Sequence, residues 1–179
     1  SAGTTRTEYT IVRLAEDAFY LVSAGAWTDY DGDFLRKSAA DKAPEFGYVE
    51  VQDVTTQWGV FAIAGPKSRD VLKAVIKDSD PETALSNKRF PWLSARQIEL
   101  GMCPVNAIRV AYTGELGWEL HHPIEMQNYL FDLLEAAGAA HGMKLVGARA
   151  QNWLRLEKSY RAFGNELGRD ATPLEADLP

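Results

Sequence analysis

The chain has 179 residues, 46% hydrophobic and 25% charged, with a formal net charge of −6 at pH 7. That length suits one domain, at most a small two-lobed one, with enough chain to bury a core. The acidic balance argues against a nucleic-acid surface, which needs a basic footprint. No stretch approaches the roughly 18 apolar residues of a membrane span, and one cysteine, Cys103, excludes a disulfide framework and a cysteine-built zinc site.

In chain order, YTIVRLA (9–15) alternates apolar and polar residues, and AFYLVS (18–23) follows across Glu16-Asp17, which predicts a hairpin. Residues 27–42 place Trp27, Phe34 and Leu35 at helical spacing. GYVEVQDV (47–54) and WGVFAIAG (58–65) read as strands. Pro66 suits the first position of a helix over PKSRDVLKAVIK, whose Val71, Leu72, Val75 and Ile76 make one apolar face. SDPET (79–83) reads as a loop, and 92–100 is ambiguous. VNAIRVAY (105–112) is the clearest strand, paired with WELHH (118–122), and along it Ile108, Val110 and Tyr112 share a face. Residues 124–141 form the clearest helix, with Met126, Leu130, Leu133, Leu134 and Ala137 on one stripe and Gly142 as its stop. A last helix covers about 147–160. The charged stretch after Gly164 is irregular and has to be a packed, ordered loop. Hairpins interleaved with two or three helices give the α+β class, with helices packed on mostly antiparallel sheet.

Four features invite chemistry. His121 and His122 are adjacent, so on a strand they point to opposite faces and cannot grip one ion; no metal is expected, and the pair reads as surface or rim histidines. IAGPKSRD (63–70) has the look of a phosphate-cradling turn into a helix, but lacks G-x-x-x-x-G-K and reads as a plain strand-to-helix junction. Cys103 has nothing beside it to activate a thiolate and reads as a packing residue. RVAYTGELGWEL (109–120) is the densest: Glu119 points away from Trp118 and Leu120. A carboxylate held on a sheet beside aromatics can accept two charge-assisted bonds from a planar ligand with adjacent N–H donors, such as an aminopyrimidine or pterin edge. A solvent-facing Glu on an edge strand is the commoner circumstance for such a residue.

YTGELGWEL, followed at a distance by LRLEKSYRAFGNELGRDATPLEADL, resembles the aminomethyltransferase, or glycine-cleavage T-protein, superfamily. The likeness is nearest to the folate-binding domain of flavin-dependent dimethylglycine and sarcosine dehydrogenases. TIVRLAEDAFYLVSAG (10–25) and AGPKSRDVL (64–72) fit the same group, so the resemblance covers essentially the whole chain. It implies an aminomethyltransferase folate-binding domain, a ring of three subdomains around a folate pocket. The implied activity is one-carbon transfer to tetrahydrofolate, in which an aminomethyl or iminium carbon from an amine-derived donor gives 5,10-methylenetetrahydrofolate. By motif position Tyr112 lines the pocket, Glu119 holds the pterin aminopyrimidine edge, and Tyr20 and Val22 contact folate. Glu8 falls where the family's catalytic carboxylate stands. Its role would be to stabilise the cationic one-carbon unit and assist proton movement.

The family more often has Asp at the Glu8 position, and an added methylene displaces a charge by about 1.5 Å. Gln151 stands near a folate-contacting arginine of the family and Arg149 lies two residues earlier, and the resemblance implies both as candidate folate contacts. The resemblance also implies that residues 1–179 are the central part of a longer domain, with flanking parts before and after it. FAD would belong to a separate dehydrogenase domain or subunit. The implied compartment is the cytoplasm, or the mitochondrial matrix in a eukaryote. Two readings stand beside this one: a folate-dependent O- or S-demethylase, and a non-catalytic folate-binding protein of the same superfamily. The latter's K-G-C-[YF]-x-G-Q-E signature loses its cysteine in the stretch Lys158–Glu166.

Overall fold

The computed structural model describes residues 3–178. The terminal positions 1, 2 and 179, on which the expectation of a continuing chain falls, lie outside the described residues. The chain divides into two compact units, one running through Val54 and taking in the tail from Arg161, the other spanning Thr55–Tyr160.

In the first unit, β1 (Thr10–Arg13) and β2 (Phe19–Val22) pair antiparallel, with Thr10 opposite Val22 and Arg13 opposite Phe19. Arg13 fastens the turn, donating from Nε to Ala15 O at 3.1 Å and from Nη2 to Glu16 O at 2.9 Å. A 3-10 turn, Gly25–Trp27, leads into α1 (Thr28–Phe46). Asp29 and Asp31 in its first turn complement the helix dipole, and Asp33 meets Lys37 four residues on at 2.7 Å. Pro44 lacks the N–H needed to continue the ladder, and Gly47, at φ 86°, closes the helix by donating to Ala43 O.

The strand expected over 47–54 is absent. Its alternation meets no partner strand among the described residues, and Tyr48 and Val49 remain exposed. The tail is ordered as a loop, by polar closures. Arg161 donates to Ala176 O (2.7 Å) and Asp177 (3.0 Å), the Ala162 N–H to Glu166 (2.9 Å), and the Thr172 N–H to Glu175 (2.8 Å).

The second unit is built on a four-stranded antiparallel sheet of order β3-β6-β5-β4. Its elements are β3 (Trp58–Ala64), α2 (Ser68–Val75), α3 (Pro81–Ala84), β4 (Ala95–Leu100), β5 (Cys103–Ile108), β6 (Gly117–Pro123), α4 (Gln127–Ala139) and α5 (Ala148–Glu157). Residues that face each other across the ladders share a side. Ile63 and Trp118, Phe61 and Leu120, Leu120 and Ala107, and Val105 and Ile98 all fall on one face. That face carries the core, covered by Val71 and Leu72 of α2, Leu130 and Leu134 of α4, and Leu85 and Phe90. Each such side chain contributes on the order of 1.5–3 kcal/mol by leaving water.

α2 begins at Ser68 rather than at Pro66, and the junction before it is the plain one expected, with Ser68 Oγ bonded to Leu116 O at 3.0 Å. The loop expected over 79–83 contains α3. Asp80 accepts the Thr83 N–H at 3.1 Å and Pro81 fills the first turn, a cap-and-proline start that the reading passed over. β5 ends at Ile108, four residues short of the expected strand: both its ladders stop there, with Ile108 opposite Ala95 of β4 and Glu119 of β6, leaving 109–116 as a loop. No helix among the described residues is long and apolar enough to cross a membrane.

Candidate functional site

Glu119 sits on β6, an inner strand with β3 on one side and β5 on the other, so it is not the edge-strand glutamate of the commoner circumstance. Trp118 and Leu120 turn into the core and are fully buried, which sends Glu119 to the opposite face. Its cross-strand neighbours there are Ala62 and Ile108. Neither side chain can donate a hydrogen bond. The Glu119 side chain is 27% exposed, and its carboxylate meets His121, two residues along on the same face, whose Nε2 lies 3.3 Å from Oε2. A carboxylate offers about four lone-pair positions. His121 meets one of them.

His121 is the neighbour of Glu119 that the sequence reading missed. The signal was present, since period two in WELHH puts residues 119 and 121 together. Both histidines are fully buried, not surface or rim residues. His122 stacks on Phe61 at 4.8 Å and meets Leu120 O through Nδ1 at 2.9 Å. The two rings do lie on opposite faces of the strand, as their adjacency requires.

Tyr112 does not share a strand face with Ile108 and Val110. It lies in the 109–116 loop, 40% exposed. The two glycines that frame this loop answer to close approaches. A Cβ on Gly114, which is at φ 70°, would stand 2.7 Å from Lys158 Cγ, and one on Gly117 would stand 2.6 Å from Ile63 O. Glu115 pairs with Lys158 at 3.1 Å, so that carboxylate is spent on holding the loop. Arg149 is exposed in the first turn of α5, and Gln151, half-buried, donates its backbone N–H to Gly147 O. Among the described residues neither bonds Glu119 or Tyr112.

Glu8, Tyr20 and Val22 belong to the first unit. Tyr20 and Val22 share a face of β2, opposite Val12 and Thr10, and are half-buried. Glu8 lies two residues before Thr10, outside β1. Partial desolvation raises its carboxyl pKa above the ordinary 4.5, while the Phe163 backbone N–H, hydrogen-bonded to it, pulls the other way. Sequence reasoning also passed over Asp31. It is 3% exposed, and neither carboxylate oxygen has a hydrogen-bond partner among the described residues. Burial and then the Asp31 charge push the Tyr9 hydroxyl pKa up. Nothing in the helical pattern around Asp31 marks it as buried. Cys103 is the packing residue expected, its thiol pushed up by burial and then by Glu125.

Comparison with known proteins adds three findings. The family model described as the GCVT N-terminal domain matches residues 1–179. The chain is 36% identical over 177 residues to a mitochondrial dimethylglycine dehydrogenase of Homo sapiens, covering 98% of this chain and 19% of that protein. It is 34% identical to a mitochondrial sarcosine dehydrogenase of Mus musculus, covering 98% and 20%, and 30% identical to an aminomethyltransferase of Natranaerobius thermophilus, covering 98% and 45%. The chain thus spans about a fifth of the dehydrogenases' length and under half of the aminomethyltransferase's. Among solved structures, a heterotetrameric sarcosine oxidase from Corynebacterium sp. U-96 matches with a TM-score of 0.55 at 19% identity, over 80% of this chain and 70% of that one, a likeness of fold.

Proposed function

The chain belongs to the GCVT N-terminal domain family, and from that premise we propose that it binds tetrahydrofolate and serves one-carbon transfer from an amine-derived donor. The bound folate would supply the nitrogens that capture an aminomethyl or iminium carbon, giving 5,10-methylenetetrahydrofolate. The names of its relatives, an aminomethyltransferase, a dimethylglycine dehydrogenase and a sarcosine dehydrogenase, support the reaction class. They also support a dehydrogenase domain or subunit, flavin-dependent as the family resemblance implies, as the source of the one-carbon unit.

The observation that carries the reading is Glu119. It is an acceptor-only group on an apolar part of a sheet face, with cross-strand neighbours that cannot donate. It is partly open to a ligand and braced on its own strand by the buried His121. This arrangement fits the two adjacent N–H donors of a pterin edge, each bond being charge-assisted. Tyr112, exposed in the same unit, is assigned a packing role against the ligand, and Arg149 and Gln151 contacts farther along it. For the first unit taken by itself, the family resemblance supports Tyr20 and Val22 as ligand contacts and Glu8 as the charge that stabilises a cationic carbon. A carboxylate whose pKa already stands above its ordinary value is also suited to taking and returning a proton.

Calorimetric titration with 5-formyltetrahydrofolate, beside Glu119→Gln and Glu8→Gln, tests the assignment. Wild type binds saturably. Glu119→Gln weakens binding by the loss of a charge-assisted pair, about 1.5–3 kcal/mol or roughly 10- to 150-fold. Glu8→Gln keeps binding and lowers the rate of one-carbon transfer. Binding indifferent to Glu119→Gln would remove the pterin from this carboxylate.

A further inference from the structure

One corner of the second unit gathers positive charge that the folate reading leaves unused. Arg69, in the first turn of α2, donates from Nη2 to Asn87 Oδ1 at 2.6 Å. Arg109, just past β5, donates to the same oxygen from Nη2 at 2.8 Å, and from Nη1 to Phe90 O. Both guanidinium groups lie over the Trp118 ring, 5.7 and 5.6 Å from its centroid. Arg96 lies over the neighbouring Phe90 ring at 5.8 Å, and Lys88 and Arg89 extend the same loop.

Among the described residues no carboxylate forms an ion pair with Arg69, Arg96 or Arg109. The nearby acids Asp70 and Glu82 are both taken by Lys73. Arg109 is 9% exposed, so a nearly buried cation is held by a neutral carbonyl, a neutral amide and a ring face. Burying a charge without a counter-charge is costly, and packing a second cation beside it adds repulsion. Burial and then the Arg69 charge lower the Arg109 pKa accordingly. The Trp118 indole N–H is also buried without a hydrogen-bond partner. In a chain of net charge −6, this corner concentrates donors and leaves them without an anion.

We propose that the Arg69–Asn87–Arg109 corner is a binding site for a small oxyanion, a phosphate or carboxylate group, gripped by both guanidinium forks. Asn87 Oδ1 stands in for one oxygen of that anion, since both arginines aim a donor at it, and the exposed Asn87 side chain swings out as the anion enters. Planar forks suit paired oxygens, which is the geometry both groups present. Trp118 forms the wall on the core side. Arg69 is half-buried and Asn87 exposed, so the corner opens to solvent. Trp118 and Glu119 point to opposite faces of β6, so this site is separate from the proposed pterin contact and does not depend on it.

The test is titration of the intact protein with inorganic phosphate, and separately with acetate, at ionic strength held constant with chloride. Side-chain Nε–Hε resonances of Arg69 and Arg109 and the melting temperature are the readouts. Saturable shifts of both resonances and a raised melting temperature in wild type are expected, both lost in Arg69→Gln. Asn87→Asp places a carboxylate where the anion's oxygen belongs, so it should raise the melting temperature by a few degrees without added anion and abolish the phosphate response. The arm that saturates identifies phosphate or carboxylate as the source. No saturation with either anion, or saturation unchanged in Arg69→Gln and Asn87→Asp, overturns the proposal.

Discussion

The two units keep their order by different means. The second closes a dry layer of apolar side chains between one sheet face and helices α2 and α4. The first presents Ile11, Leu14 and Phe19 of its hairpin to solvent, and fixes its tail with arginine and carboxylate side chains that close on backbone groups. Layered burial gains with area and is insensitive to any one polar group. A polar clamp holds many residues through a few bonds, so its failure is local and abrupt. The two designs should therefore fail differently when single residues are changed.

The largest expected effect strikes the layer. Leu120→Ala empties a fully buried site between Phe61 and Ala107, and should cost about 2–5 kcal/mol, with hydrogen exchange accelerating through β3, β5 and β6 together. Acceleration confined to the residues around position 120 would mean that the sheet does not open as one piece. Next comes Gly117→Ala. The new methyl meets Ile63 O, a backbone atom that cannot swing aside, so β3 and β6 must separate locally at about 1–3 kcal/mol. An unchanged denaturation midpoint would show that the strands slide apart freely there. Arg161→Ala should cost less, about 0.5–1.5 kcal/mol expressed in the tail alone, because its bonds to Ala176 and Asp177 hold that segment and not the sheet. Limited proteolysis should then cut within 161–178 while β6 stays protected. Loss of protection in both would erase the distinction between clamp and layer.

The same distinction decides what the sequence could disclose. Periodicity sees layers. The stripe of α4, the apolar face of α2 and the inward Trp118 and Leu120 were all legible, because each is a repeat at 3.6 or 2.0 residues aimed at one core. Periodicity does not see partners. The 47–54 segment alternates as well as β3 does, yet has no strand to pair with, and Tyr112 lost its strand place because both ladders of β5 stop at Ile108. Of the candidate site, the orientation of Glu119 was legible from parity. Its inner-strand position was not, because strand order is set by long-range pairing. The resemblance to a folate-binding family supplied Glu8, Tyr20 and Val22, which no pattern in the residues singles out. The convergence of Arg69, Asn87 and Arg109 was out of reach for the same reason as strand order: the three come from separate segments and meet only once β5 and β6 pair and α2 docks.

The finest test lies inside the first unit, where two glutamates shift in opposite directions. Desolvation raises the Glu8 pKa, so the folded state prefers its protonated form. That preference is fully present below pH 4.5 and is lost as pH rises through the raised value. Glu175 is lowered by the Thr172 backbone N–H first and its hydroxyl second, so its contribution is present above pH 4.5 and is lost as pH falls through the lowered value. Carboxyl carbon chemical shifts should therefore give midpoints on either side of 4.5. Glu8→Gln, which cannot ionise and still offers Phe163 an oxygen, should match wild type at low pH and exceed it in stability at neutral pH. Glu175→Gln should show the reverse ordering. If both glutamates titrate together, the tail closure at Thr172 is not maintained in solution, and the polar clamps cannot be what orders this unit.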